Sequence, residues 1–237
     1  QTTEEVRRRF VSDASHELKT PLASIRLLTD SLLQADHMDG ETAREFLNDI
    51  GDEADRLTRI TEKLLTLTRL DTAPAAEDVP VDVGAVVERV EHMLSPLARA
   101  VEVSLELKLQ PGCVVLATED DLYQIAFNLM ENAVKYNLPG GRVLVTLTAD
   151  GGRVVLRVED TGVGIPEADL PKIFDRFYRV DKARSRAAGG TGLGLSIVRD
   201  TVRQHGGAVT VRRRESEGTC FEVAFPRWYG EEKGGAL

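Results

Sequence analysis

Apolar and small residues recur along the first part of the chain at Val11, Ala14, Leu18, Pro21, Ile25, Leu28 and Leu32, in alternating steps of three and four. That 3.5-residue period is the seam of a helix packed in a bundle, and it predicts one long helix over residues 4–35. A polar break, Asp36-His37-Met38-Asp39-Gly40, follows, and from Glu41 the spacing resumes at Phe46, Ile50, Leu57, Ile60, Leu64 and Leu67, with Glu53 on a seam position. Two such helices joined by a short loop make an antiparallel hairpin. Each helix carries one apolar stripe, which the hairpin alone cannot fully bury. A second copy completes a four-helix bundle, so the pattern predicts a homodimer through this region.

The periodicity stops at DTAPAAEDVP, residues 71–80, where two prolines and small residues mark a linker. Beyond it the pattern is mixed. Residues 84–98, 120–136 and 193–205 read as helices, and 101–109, 113–117, 142–149, 153–160, 208–213 and 219–225 as strands. Such an order predicts an α+β fold, a two-layer sandwich with a mostly antiparallel sheet and helices on one face. The expected division is a hairpin at 1–71, a linker at 72–80, the α/β layer at 81–228 and a flexible tail at 229–237.

Composition narrows the class. The chain has 237 residues, 42% hydrophobic and 29% charged, an ordinary globular mix able to bury a core. Its net charge of −9 argues against a nucleic-acid partner, which needs a basic surface. No apolar run is long enough to span a membrane. The charged opening EEVRRRF reads as mid-helix, so a fragment of a longer protein is expected. Cys113 and Cys220 sit in strand-like runs without CxxC or CxxH spacing, which predicts buried free thiols.

Candidate chemistry starts on the first helix. With Val11 at a heptad a position, His16 faces water at f, Glu17 is beside it and Thr20 lies one turn on. Pro21 withholds the N–H that would bond the Glu17 carbonyl, so a kink is expected there. In the second half, Asn128, Asn132 and Lys135 share a helix face by spacings of four and three, two amide oxygens and an ammonium able to hold a hard cation and the phosphates it bridges. Asp160-Thr-Gly162-Val-Gly164 follows a strand; its carboxylate can accept from an exocyclic amine while the glycines admit a flat base. Gly190-Thr191-Gly192-Leu193-Gly194 opens a helix and offers backbone N–H groups to a phosphate, without the GK[ST] of a Walker loop. Between these pieces, Phe174-Asp-Arg176-Phe177-Tyr178-Arg179 leads into a basic stretch fit to close over phosphates.

Ser15-His16-Glu17-Leu18-Lys19-Thr20-Pro21-Leu22 resembles the phosphoacceptor box of bacterial sensor histidine kinases. The four later blocks, in order, resemble the asparagine, phenylalanine and two glycine boxes of their catalytic domain, the ATP-binding fold shared with gyrase, heat-shock protein 90 and mismatch-repair ATPases. The resemblance spans nearly the whole chain. It implies that His16 takes the γ-phosphoryl group of ATP with Glu17 as base, that Asn128 and Asn132 coordinate Mg²⁺, and that Lys135, Arg176, Arg179 and Lys182 contact phosphates. Tyr136 would stack on the base and Asp160 bond the adenine amine in a pocket shaped by Gly162 and Gly164. Gly190, Gly192 and Gly194, with Thr191 and Leu193 between them, would hinge a lid and receive phosphate. It further implies transfer to an aspartate of a response-regulator receiver domain, a phosphatase activity through Thr20, and a cytoplasmic fragment whose full-length protein sits in the bacterial inner membrane by a preceding segment. A plain ATPase or serine kinase of the same fold leaves the His16 hairpin unexplained, and a non-catalytic scaffold leaves the asparagine, Asp160 and glycine set unexplained.

Overall fold

The structure, a computed structural model, describes residues 3–35, 37–72, 77–181, 190–214 and 217–230. Two long helices come first, α1 (Thr3–Gln34) and α2 (Gly40–Thr72). Asp39 starts α2: its Oδ1 accepts from the backbone N–H groups of Glu41 (3.0 Å) and Thr42 (2.8 Å), satisfying donors that a helix start leaves orphaned. Pro21 is buried inside one continuous α1. Thr20 donates its hydroxyl to the His16 carbonyl, one turn back (3.2 Å).

The α/β layer follows. Strands β2 (Ser104–Leu109), β4 (Arg142–Asp150), β5 (Arg153–Asp160), β7 (Thr219–Pro226) and β6 (Ala208–Arg213) lie in that order across one sheet, parallel only between β2 and β4. The strands expected at 142–149 and 153–160 alternate in burial. Val143, Val145 and Leu147 of β4 and Val154, Leu156 and Val158 of β5 are buried on one face, while their neighbours in sequence are partly exposed. That face packs on α3 (Val83–Ala100) and α4 (Glu119–Lys135), through Val86, Val87, Val90, Leu122, Ile125 and Leu129. The last helix, α5 (Gly194–Gln204), lies against α4. Cys113 and Cys220 are free and buried.

One element differs from expectation. Val79 and Pro80, read as the end of a linker, belong to a short strand β1 (Val79–Asp82) that pairs antiparallel with β3 (Val114–Ala117) in a separate two-stranded sheet. A four-residue strand with a proline in it has no alternation to read. Residues 73–76 of that linker and 231–237 of the expected tail lie outside the described residues.

The hairpin is docked on the α/β layer. Leu67 of α2 and Leu193 and Ile197 at the start of α5 are each fully buried in one cluster, flanked by Phe10, Leu64, Leu70 and Phe177. Asp71 of α2 bonds Arg176 at 3.0 Å, and the Arg176 guanidinium lies 4.9 Å from the centre of the Phe10 ring.

His205, just past α5, pins the layer where the chain enters it. Its Nε2 lies 2.9 Å from Asp121 of α4 and its Nδ1 3.0 Å from Asp78 before β1, with the side chain 1% exposed. Carboxylates on both ring nitrogens favour the doubly protonated ring, and the bond to Asp121 raises the His205 pKa above its ordinary 6.5. The same bond lowers the Asp121 pKa below 3.8. The raised histidine stabilises fully below 6.5 and loses its contribution as pH climbs through the folded-state value; the lowered aspartate contributes above 3.8 and loses its share as pH falls through its folded value. His205→Gln is therefore expected to cost about 1.5–3 kcal/mol near pH 6 and distinctly less at pH 9, measured as denaturant midpoints of parent and variant at both pH values.

Candidate active site

A cavity of about 320 Å³ opens between α4, the loop after β5, the Phe174–Arg179 segment and the start of α5. α4 positions its first wall. Thr118 caps that helix by accepting from the Asp121 N–H (3.1 Å), and acidic residues fill its first turn, so Asn128, Asn132 and Lys135 emerge together on the cavity side. Asn128 is buried, and its Nδ2 donates to the Gln124 carbonyl (2.8 Å). Its Oδ1 stays directed at the start of α5, where a Cβ built on Gly194 would come within 2.8 Å of it. Lys135 pairs with Glu131 at 2.8 Å, and Tyr136 ends the helix at the cavity edge. The two amide oxygens are hard donors in one wall, a fit for a small divalent cation that keeps waters and phosphates as its other ligands.

β5 delivers Asp160 to the floor. It is buried, and its Oδ1 accepts from the backbone N–H groups of Gly162 (2.9 Å) and Thr219 (3.2 Å). Both bonds fall on one oxygen, which leaves Oδ2 for a donor in the cavity. Burial pushes the carboxyl above the ordinary Asp value. Gly162 is a steric requirement: a Cβ there would lie 2.3 Å from the Tyr136 carbonyl oxygen, so the loop could not close against α4. Gly164, Ile165 and Pro166 continue the wall, with Ile173 and Phe221 supplying apolar surface.

The third wall is the N-terminus of α5. No side chain caps it, and Gly190, Thr191, Gly192 and Gly194 line the cavity, so unsatisfied N–H groups and the positive end of the helix dipole border it. Gly192 has φ +72°, and a Cβ on it would strike the Phe177 backbone at 2.8 Å. Phe177 itself has φ +65° and donates its N–H to the Gly192 carbonyl (2.8 Å). The two loops interlock at that point.

Of the residues expected at this site, Asn128, Asn132, Lys135, Tyr136, Asp160, Gly164, Arg179, Gly190, Thr191, Gly192 and Gly194 are brought together on the lining. Gly162 and Leu193 do not line the cavity: Gly162 donates its N–H to Asp160, and Leu193 is buried with Leu67 and Ile197. Lys182 lies outside the described residues. Arg176 is not at the cavity: Asp71 and Asp200 hold it, at 3.0 and 3.2 Å. Arg179 lines the cavity, yet its guanidinium, 3% exposed, is bonded to Glu17 of α1 and to the Thr191 carbonyl (3.3 Å). Glu17 also meets Arg56 of α2, at 3.7 Å. His16 is exposed on α1 and does not line the cavity. Among the lining residues that the sequence did not single out, Glu131, Thr219 and Phe221 come from the α/β layer, while Lys63 comes from α2 and its place depends on how the hairpin docks.

Residues 117–228 match the family described as histidine kinase-, DNA gyrase B-, and HSP90-like ATPase, and residues 6–73 match the His Kinase A (phospho-acceptor) domain. The chain is 36% identical over 226 residues to the sensor-like histidine kinase SenX3 of Mycolicibacterium smegmatis, covering 95% of this chain and 59% of that protein. It is 41% identical over 230 residues to the probable sensor histidine kinase TcrY of Mycobacterium tuberculosis, covering 95% and 47%. The solved structure of full-length ShkA in complex with AMPPNP superposes with TM-score 0.69 at 30% identity, over 97% of this chain and 47% of that one. The chain thus spans roughly half the length of the curated relatives it matches. From the phosphoacceptor box on α1 to the glycine-lined cavity in the α/β layer, it belongs to the sensor histidine kinase family.

Proposed function

We propose that this chain is the kinase core of a two-component sensor, in which ATP held in the cavity phosphorylates His16 and the phosphoryl group then passes to an aspartate of a receiver domain. The observation that carries this reading is the convergence of Asn128, Asn132, Lys135, Asp160 and the uncapped start of α5 on one cavity, in a chain that also displays His16 on an open helix face. Asp160 Oδ2 accepts the exocyclic amine of adenine, Tyr136 stacks on the base, and Lys135 with the α5 N-terminus takes the phosphates. Asn128 and Asn132 would hold Mg²⁺, which when bound neutralises phosphate charge.

In the transfer step, the lone-pair nitrogen of His16 attacks the γ-phosphorus and a P–N bond forms. The bond from that phosphorus to the β–γ bridging oxygen breaks, and ADP leaves with the electron pair. Glu17 accepts the proton on the other ring nitrogen. In the arrangement described, Glu17 is bound by Arg179 and Arg56, and His16 is outside the cavity of its own protomer. Transfer therefore follows release of the hairpin from the α/β layer. A homodimer is supported by Val11, Leu22, Leu27, Leu33, Leu47 and Leu65, which leave more than half their surface exposed on the hairpin. Thr20, one turn from His16, orients water for dephosphorylation of the regulator. Among the described residues no helix is long and apolar enough to cross a membrane.

Incubation with γ-labelled ATP tests the reading. The expected label is acid-labile and base-stable, and His16→Gln abolishes it while ATP binding persists; label that survives in His16→Gln would refute the assignment. Asp160→Asn keeps the Oδ1 acceptor for Gly162 and Thr219 but turns an amide N–H₂ toward the adenine amine. It is expected to weaken ATP binding about tenfold or more, the loss of a charge-assisted hydrogen bond worth roughly 1.5–3 kcal/mol, as measured by titration calorimetry.

A further inference from the structure

Among the described residues of the hairpin, Lys63 alone lines the nucleotide cavity; every other lining residue lies between positions 128 and 221. Its placement follows from the seam of α2. Leu67, one turn on, is fully buried against Leu193 and Ile197. Arg56, seven residues earlier on the same flank, is buried within reach of Glu17. Lys63 lies on the side of α2 turned toward the α/β layer, and docking of Leu67 carries its ammonium over the Glu131–Lys135 turn of α4.

The electrostatics there are unbalanced. Burial lowers the Lys63 pKa, Lys135 and Arg59 add to that, and Glu131 is the one carboxylate that opposes it. Glu131 is already paired with Lys135 at 2.8 Å. A half-buried ammonium beside a shared carboxylate, at the edge of a cavity bordered by a helix N-terminus, is suited to an anion.

We propose that Lys63 is a nucleotide-binding residue whose ammonium meets the phosphates of nucleotide in the cavity, so that bound nucleotide bridges the hairpin and the α/β layer. This rests on the reading of the cavity as an ATP site and adds to it a ligand from the other half of the chain. By reciprocity, whatever factor the contact adds to phosphate binding it also adds to docking of the hairpin. Nucleotide then favours the closed arrangement over the released one, and a nucleoside without phosphates does not.

The test is equilibrium binding of ATP, ADP, AMP and adenosine to the 237-residue chain, its Lys63→Met variant, which keeps much of the apolar stem, and Lys63→Arg, which keeps the charge. Lys63→Met is expected to bind ATP about tenfold more weakly, the scale of one charge-assisted bond, and to bind adenosine as the parent does. Lys63→Arg is expected to recover most of the loss, and the AMP and ADP arms show at which phosphate the penalty enters. Unchanged ATP affinity in Lys63→Met overturns the role of Lys63 and leaves the ATP site standing. Equal losses for ATP and adenosine also overturn it, because a stem that only packs would produce them. A folded parent that binds none of the four overturns both the site and the proposal. Circular dichroism spectra and unfolding midpoints matching the parent identify variants that are folded; were Lys63→Met to fail, Lys63→Gln takes its place with the same criteria.

Discussion

The docking of the hairpin on the α/β layer turns on one ion pair, the partly exposed Glu17 with the buried Arg179. Glu17 follows His16, the proposed phosphoacceptor on α1, and Arg179 lines the proposed nucleotide cavity, so a single contact ties the two halves of the proposed chemistry together. Withdrawing the Arg179 charge from water is favourable only while it keeps its partner. Arg56 of α2 shares Glu17 from the other side, and the Arg179 Nε makes no bond among the described residues. The pair spans the interface and is incompletely satisfied, as a contact that must open would be. The apolar cluster of Leu67, Leu193, Ile197, Phe10 and Phe177 supplies non-directional attraction beside it.

That interface gives the cavity its form. Phe177 stacks near Phe10, with ring centroids 6.0 Å apart, and its backbone interlocks with Gly192 at the start of α5. The same segment carries Arg176 to Asp71. The loops that would close over a triphosphate are therefore positioned partly by the hairpin. Lys63 belongs to the same logic, a cation delivered to the cavity by docking rather than by the α/β fold.

Much of this was legible in the sequence because much of it is local. The 3.5-residue seam marked α1 and α2 to within a residue or two, and strand-like runs marked β4 and β5. Asn128, Asn132 and Lys135 could be placed together because helical spacing alone puts them on one face. Asp160 and its glycines were readable because the loop must approach Tyr136 too closely for any side chain at Gly162. What the sequence did not carry was the docking. Arg176 and Arg179 looked like free phosphate ligands beside a glycine lid, yet carboxylates at Asp71, Asp200 and Glu17 hold them. Lys63 was not singled out, since nothing within ten residues of it indicates that a cavity lies opposite. β1 escaped because its pairing with β3 is a contact between segments more than thirty residues apart.

The central claim is that the hairpin must leave the α/β layer before His16 can be phosphorylated. A covalent lock tests it most directly. Asp71 and Arg176, joined side chain to side chain at 3.0 Å, can be replaced together by cysteines and bridged with a short bismaleimide, while Cys113 and Cys220 are buried out of its reach. The account predicts that the bridged protein binds ATP at least as tightly as its unbridged double variant, yet incorporates no label at His16, whereas the unbridged variant does. Labelling of the bridged protein at the unbridged rate would contradict it.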